Sequence, residues 1–106
     1  MAYNDTNLTI TTEFTSGLQI LFNNVKKHDI VLPATEKQWT LGSLLFWIKN
    51  NLLVNKEKCD LFMKGNTVRP GIIVAINDQD WELLGNLDYQ IKNNDNITFI
   101  STLHGG

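Results

Sequence analysis

The sequence predicts an α+β fold: a mixed sheet with one main helix packed on one of its faces. Three observations predict it. Leu8, Ile10, Thr12 and Phe14 alternate with Thr9, Thr11 and Glu13, the period-two pattern of a strand with one face inward. Leu41, Leu44, Leu45, Ile48 and Leu52 recur at helical spacing and form one apolar stripe. Ile72 to Ile76 and Ile97 to about Leu103 are further stretches of strand length. A helix stripe and a sheet face each need a partner to bury against, so the helix covers one side of the sheet.

The elements follow in order. After the first strand, Ser16-Gly17 supplies a turn. Leu18, Ile20, Leu21 and Phe22 form an apolar cluster, a loop or single helical turn at the edge of the core, broken by Asn23-Asn24. His28, Ile30 and Leu32 alternate again and end at Pro33, so the first two strands make an antiparallel hairpin with a long connection. Thr40 is placed to cap the helix, because its hydroxyl can accept from an exposed amide of the first turn. Trp39 before it can pack on Leu44 as a hydrophobic staple. Phe46, Trp47 and Leu53 lie off the stripe and are expected to widen the core contact.

Leu61-Phe62-Met63 reads as a short strand, Lys64-Gly65-Asn66 as a turn, and Arg69-Pro70-Gly71 as a second turn in which proline presets its own φ. The unbroken run Ile72 to Ile76 reads as a central strand covered on both faces, ended by Asn77-Asp78. Asp80 can cap a short turn that points Trp81 and Leu84 inward and closes at Gly85. Leu87, Tyr89 and Ile91 alternate, and Asn93 to Asn96 make a polar turn before the last strand.

At 106 residues the chain is one domain, and 42% hydrophobic residues are enough for a single core. A formal charge of −2 argues against a direct nucleic-acid footprint, which needs a clustered basic surface. Lys26-Lys27 and Lys56-Glu57-Lys58 are too short to be that surface and read as solvated turns. Met1 to Asn7 has no basic start and no apolar core, and no apolar run is long enough to span a bilayer. Neither a signal peptide nor a membrane role is therefore expected, and a cytoplasmic location follows by default. Cys59 is the single cysteine, so no internal disulfide forms, and it reads as a small buried hydrophobe rather than a nucleophile. Cys59, His28 and His104 match no zinc spacing.

The end of the sequence, Leu103-His104-Gly105-Gly106, carries the sharpest signal. Two glycines leave no side chain beside the terminal carboxylate and adopt backbone angles that other residues avoid. Such a tail can thread a narrow cleft and present its carboxylate to another protein's chemistry. A frayed terminus is the other reading of the same residues.

Val68-Arg69-Pro70-Gly71-Ile72-Ile73-Val74-Ala75-Ile76-Asn77-Asp78-Gln79-Asp80-Trp81-Glu82-Leu83-Leu84-Gly85 resembles the ubiquitin-related modifier family, the sulfur-carrier branch of the ubiquitin-like proteins. So does the ending Ser101-Thr102-Leu103-His104-Gly105-Gly106. The element order is similar to that family's β-grasp (ubiquitin-like) fold across nearly the full chain. The strong motif match spans Val68 to Gly106, and the first half matches in pattern and length. Ala75 stands where a larger aliphatic is usual, a departure that touches packing rather than chemistry. On this resemblance residues 1–7 are a polar N-terminal segment, 8–102 the β-grasp domain and 103–106 a flexible tail.

The resemblance implies a carrier that is not itself an enzyme and binds no cofactor. An activating enzyme would join the Gly106 carboxylate to AMP, using ATP and magnesium, and a persulfide on its rhodanese-like domain would replace AMP to give a thiocarboxylate. The sulfur would pass, through a transfer-RNA thiolase complex, to position 2 of the wobble uridine of cytosolic transfer RNAs. The same activated end could acylate lysines of target proteins. Leu103, His104 and Gly105 would line the enzyme's channel, His104 by docking. Ile100, on the face opposite Ile97 and Phe99, and Arg69 would belong to a docking surface. With Gly106 last, no protease is expected to be needed to expose the tail, and nothing demands more than a monomer. Three other readings stand beside this one. Conjugation could be the main role. The chain could be the small subunit of a molybdopterin-synthase-like complex, against which Trp81 and Leu103-His104 argue. It could also be a non-reactive binding module.

Overall fold

The computed structural model of the chain describes residues 7–102. Strand β1 (Leu8–Thr15) pairs antiparallel with β2 (Lys27–Leu32), and the helix α1 (Leu41–Asn51) follows. Two short strands, β3 (Met63–Lys64) and β4 (Thr67–Val68), form a separate hairpin. Strands β5 (Ile72–Ile76), β6 (Gln79–Asp80) and β7 (Asn96–Ser101) complete the main sheet, whose order is β2-β1-β7-β5-β6. β1 and β7 run parallel at the centre and every other neighbour is antiparallel, so the sheet is mixed as expected. One face is covered by α1, which is the β-grasp arrangement.

The alternation of β1 puts Ile10, Thr12 and Phe14 in the core, where Ile30 and Leu32 of β2 and Ile97 and Phe99 of β7 join them. From the helix, Leu41, Leu44, Leu45 and Ile48 close over them, all fully buried. Thr40 caps α1 as its residue type requires: its Oγ1 accepts from the Ser43 amide at 3.2 Å, and Ser43 Oγ accepts from the Thr40 amide at 2.9 Å. At the other end, Lys56 Nζ donates to the Lys49 and Leu53 carbonyls at 2.6 and 3.2 Å, satisfying acceptors that the helix leaves open. Phe14 is the hub of an aromatic cluster, stacked on Phe22 and Phe99 with Phe62 edge-on.

Several expectations are corrected. Ile20 and Phe46 are 66% and 39% exposed, so they do not serve the core; Phe46 instead lies under the Lys49 ammonium. Leu61 ends a 3-10 segment (Lys56–Leu61) and Phe62 caps it, so the strand starts only at Met63. Trp39 does pack against the core, half-buried as a staple residue would be, and its Nε1 also donates to the Pro33 carbonyl at 2.9 Å. The run Ile72 to Ile76 is not covered on both faces: β7 is central instead, and Ile73 is 45% exposed. The alternation at Leu87, Tyr89 and Ile91 gives a 3-10 turn (Asn86–Asp88) and a single bridge from Gln90 to Thr40, not a strand. The half-buried Cys59 packs against the core from the 3-10 segment.

One core position works against stability. Thr12 is fully buried and its Oγ1 has no hydrogen-bond partner among the described residues. An unsatisfied buried hydroxyl costs about 1–3 kcal/mol, and valine fills nearly the same space without it. Thr12→Val is therefore expected to raise the urea midpoint by the equivalent of about 1 kcal/mol with an unchanged slope. A lower midpoint would show that the hydroxyl is satisfied after all.

Candidate functional site

The tail leaves the sheet where β7 ends. Thr102 is the last described residue, and its amide donates to the Gly71 carbonyl at 2.8 Å while its hydroxyl donates to the same oxygen. Gly71 can accept this pair because the Arg69-Pro70-Gly71 turn is sharp. The Ile72 amide donates back to the Arg69 carbonyl at 3.1 Å, and Gly71 takes φ 100°, which a residue with a Cβ resists. The turn thus fixes the exit of the tail. Leu103, His104, Gly105 and Gly106, the expected channel and reactive residues, lie outside the described residues.

Around that exit the outward sheet face carries an aliphatic pair. In the register of β5 and β7, Ile73 lies directly opposite Ile100, and Ala75 opposite Thr98. Parallel pairing sets Thr15 beside Ile100 from the other side. Ile100, expected on this face, is therefore not a lone surface aliphatic but half of a pair with Ile73. Glu13 borders the pair, its Oε2 accepting from Asn96 Nδ2 at 3.1 Å and from Thr98 Oγ1 at 3.4 Å. Sequence reading missed Ile73, because a uniform apolar run does not reveal which of its members a helix covers.

Arg69 lies on a different side of the exit. It is half-buried and lines a cavity of about 630 Å³ with Asp60, Leu61, Met63, Lys64 and Pro70. The structure does not place it with Ile100 on the sheet face; it brings it to the tail through the turn instead. No described carboxylate forms an ion pair with Arg69 or Lys64.

The opposite end of the sheet holds the one buried carboxylate among the described residues. Asp95 is 4% exposed and accepts from Asn77 Nδ2 at 2.9 Å, Tyr89 Oη at 2.7 Å and the Lys92 amide at 2.8 Å. It ties the turns after β5 and before β7 to the segment that holds Tyr89. Burial first, then the hydrogen bond to Asp95 and its charge, push the Tyr89 phenol up to about 12 from an ordinary 10.0. The fold thus favours the neutral phenol, and that stabilisation is complete below pH 10 and is lost as pH rises from 10 through 12. Compared with Tyr89→Phe, the parent protein is expected to keep a constant stability difference to about pH 9 and to lose it above pH 10 in urea titrations. A constant difference up to pH 12 would contradict this. This network is a staple, far from the tail.

Among the described residues no cluster of three His, Cys, Asp or Glu could hold a metal, and no helix is long and apolar enough to cross a membrane. What the site offers is an anchored exit, an aliphatic pair beside it and a cavity with two cations that have no ion-pair partner among the described residues.

Residues 9–106 match the family described as Urm1 (Ubiquitin related modifier). The chain is 57% identical over 99 residues to ubiquitin-related modifier 1 of Mus musculus and 56% identical to that of Bos taurus, covering 93% of this chain and 96% of each relative. Among solved structures, that of Urm1 from Trypanosoma brucei superposes with a TM-score of 0.73 at 30% identity, covering 96% of this chain and 99% of that one.

Proposed function

The chain belongs to the ubiquitin-related modifier family, and from that premise we propose that it is a sulfur carrier whose reactive group is the Gly106 carboxylate. One observation carries the proposal: the family match runs through to residue 106, so the Gly-Gly end is part of what the chain shares with its relatives.

A carboxylate is a poor electrophile. Adenylation by a partner enzyme, with ATP and magnesium held there, converts it to a mixed anhydride with AMP as leaving group. The terminal sulfur of a persulfide, carried on a rhodanese-like domain, attacks the carbonyl carbon and AMP departs. Cleavage of the sulfur–sulfur bond by a second thiol leaves Gly106 as a thiocarboxylate. That soft anion passes its sulfur to an acceptor activated elsewhere, through a transfer-RNA thiolase complex to the wobble uridine. Positioning and electrostatics, the larger part of such catalysis, belong to the enzyme.

What this chain supplies is delivery. Leu103 to Gly106 in extended form reach about 13 Å, at about 3.3–3.6 Å per residue, enough to enter a covered site while the body stays outside. Leu103, His104 and Gly105 thread the channel. Ile73 and Ile100 form the docking pair beside the exit, and burying them on the enzyme aims the tail. In a second use of the same activated end, a lysine amine attacks in place of sulfur and an isopeptide bond to a cytoplasmic target results.

Incubation with the cognate activating enzyme, ATP and a sulfur donor, followed by intact-mass measurement, tests the proposal. The expected product has gained the mass difference between sulfur and oxygen. Absence of both this product and an adenylate sinks it. If the mass shifts only when lysine-bearing targets are present, conjugation is the main role.

A further inference from the structure

The fold sorts charge along the sheet axis in a way the linear sequence conceals. Strand directions define two ends. β1 and β7 run parallel toward the tail end, so Lys26 and Lys27, at the start of the antiparallel β2, lie there as well. Helix α1 runs the same way: the Leu41 amide bonds the Tyr89 carbonyl at the far end, and the Val54 amide bonds the Leu21 carbonyl at the tail end. Lys49 in the last turn, then Lys56 and Lys58, are thereby carried to the tail end. Lys64 and Arg69 complete the set at the cavity beside the exit. At the far end stand Glu36, Asp78, Asp80, Glu82 and Asp88, against Lys37 and Lys92. Seven of nine basic residues thus gather at the pole from which the tail emerges, against Glu57 and Asp60 of the same segment and cavity, although the net charge is −2.

From this polarity we infer that the tail pole is a docking surface for an acidic protein partner, the protein that receives the tail; the inference rests on the carrier reading above. The occupant is a polypeptide surface of carboxylates around an aliphatic centre, because aliphatic side chains are interleaved with the cations. Ile20 and Val54 are 66% and 64% exposed, and Leu61 and Val25 are 43% and 41% exposed. An apolar centre with a charged rim is the anatomy of a protein interface. An RNA surface would instead call for several open aromatic rings to stack on bases; Phe14, Phe22, Phe62 and Phe99 are all fully buried, and the exposed Phe46 is already covered by the Lys49 ammonium. Partner carboxylates reach Lys64 and Arg69 without displacing an existing described ion pair. Attraction between these cations and such a partner raises the association rate more than the final affinity.

Stopped-flow association with the cognate activating enzyme tests this, at about 20 and about 300 mM NaCl. The parent on-rate is expected to fall about tenfold or more with salt, and the double reversal Lys64→Glu with Arg69→Glu to lower the low-salt rate about tenfold and flatten the dependence. A second reversal on the same pole, Lys26→Glu with Lys58→Glu, guards against local misfolding and is expected to act likewise. Glu82→Lys at the far pole changes the rate less than about twofold, since screening confines its effect. Equal rates and salt slopes for all variants overturn the inference. So does a salt-dependent mobility shift of total transfer RNA that the reversals abolish while enzyme association is unchanged, which would assign the pole to RNA. Intact mass at saturating enzyme separates the two levels. A parent that never gains sulfur there removes the carrier reading, whereas a parent that at low salt and subsaturating enzyme loads only as fast as its reversals removes only the docking surface.

Discussion

Deletion of Gly106 leaves a folded protein that accepts no sulfur. The fold survives because the sheet is complete at Ser101, and the last anchor is Thr102 on the Gly71 carbonyl. Loading fails because the new carboxylate, on Gly105, falls short by about 3.3–3.6 Å, and a misplacement of about 1 Å at a reacting centre can cost about 100-fold. The expected rate of thiocarboxylate formation is therefore below a hundredth of the parent's, too low for intact-mass detection on the same timescale. Ile73→Asp offers the informative contrast. It keeps the reactive end but places a carboxylate in the aliphatic pair, so it weakens docking and raises KM while leaving turnover at saturation near the parent value. If both variants lose only affinity, the tail is a tether and the carboxylate is not the reacting group. Normal loading of the shortened chain would falsify the carrier reading outright.

The two variants also mark what could be read before the structure was seen. The reactive end was legible because glycine chemistry at a terminus needs no tertiary context. Ile100 was legible from the period of β7, since Ile97 and Phe99 fix the opposite face. Ile73 was not, because the run from Ile72 to Ile76 is apolar at every position and carries no periodicity. Its exposure depends on the helix covering only one side. The 3-10 segments around Cys59 and Leu87 escaped for a related reason, whereas the turn that Asp80 caps before Trp81 was legible from its residue types. The two segments are held by local hydrogen bonds, such as the Phe62 amide on the Cys59 carbonyl at 2.9 Å, and no repeat of side chains announces them. Asp95 sits in a polar run that reads as a solvated turn. It is buried only because Tyr89, Asn77 and the Lys92 amide, from three separate segments, converge on it. The basic pole is the extreme case: Lys26-Lys27 and Lys56-Glu57-Lys58 are unremarkable as runs, and become one surface only when β2 and the end of α1 are brought to the same end of the sheet.

Phe14→Ala is expected to be the most destabilising single substitution tested, by about 3–5 kcal/mol. The ring is fully buried, and its centroid lies 3.9 Å from Phe22, 5.3 Å from Phe99 and 6.1 Å from Phe62. Removing it therefore opens a void walled by three other rings, each anchored in a different element, and none can move in without uncovering its own neighbours. Against a total stability of about 5–15 kcal/mol this is a large share, and it lowers the melting temperature by about 15 °C or more at about 4–8 °C per kcal/mol. The consequence reaches the exit of the tail. Phe14 is the register partner of Phe99, and the next residues along the two strands are Thr15 and Ile100 on the outward face. A void beneath β1 and β7 therefore loosens the platform that holds the aliphatic pair. Phe14→Leu, which refills much of the volume, is expected to recover more than half of the lost stability and the docking with it. A drop in melting temperature of only a few degrees for Phe14→Ala would show that the aromatic cluster closes over the gap, and that the stability of the docking face rests on the β5 and β7 pairing instead.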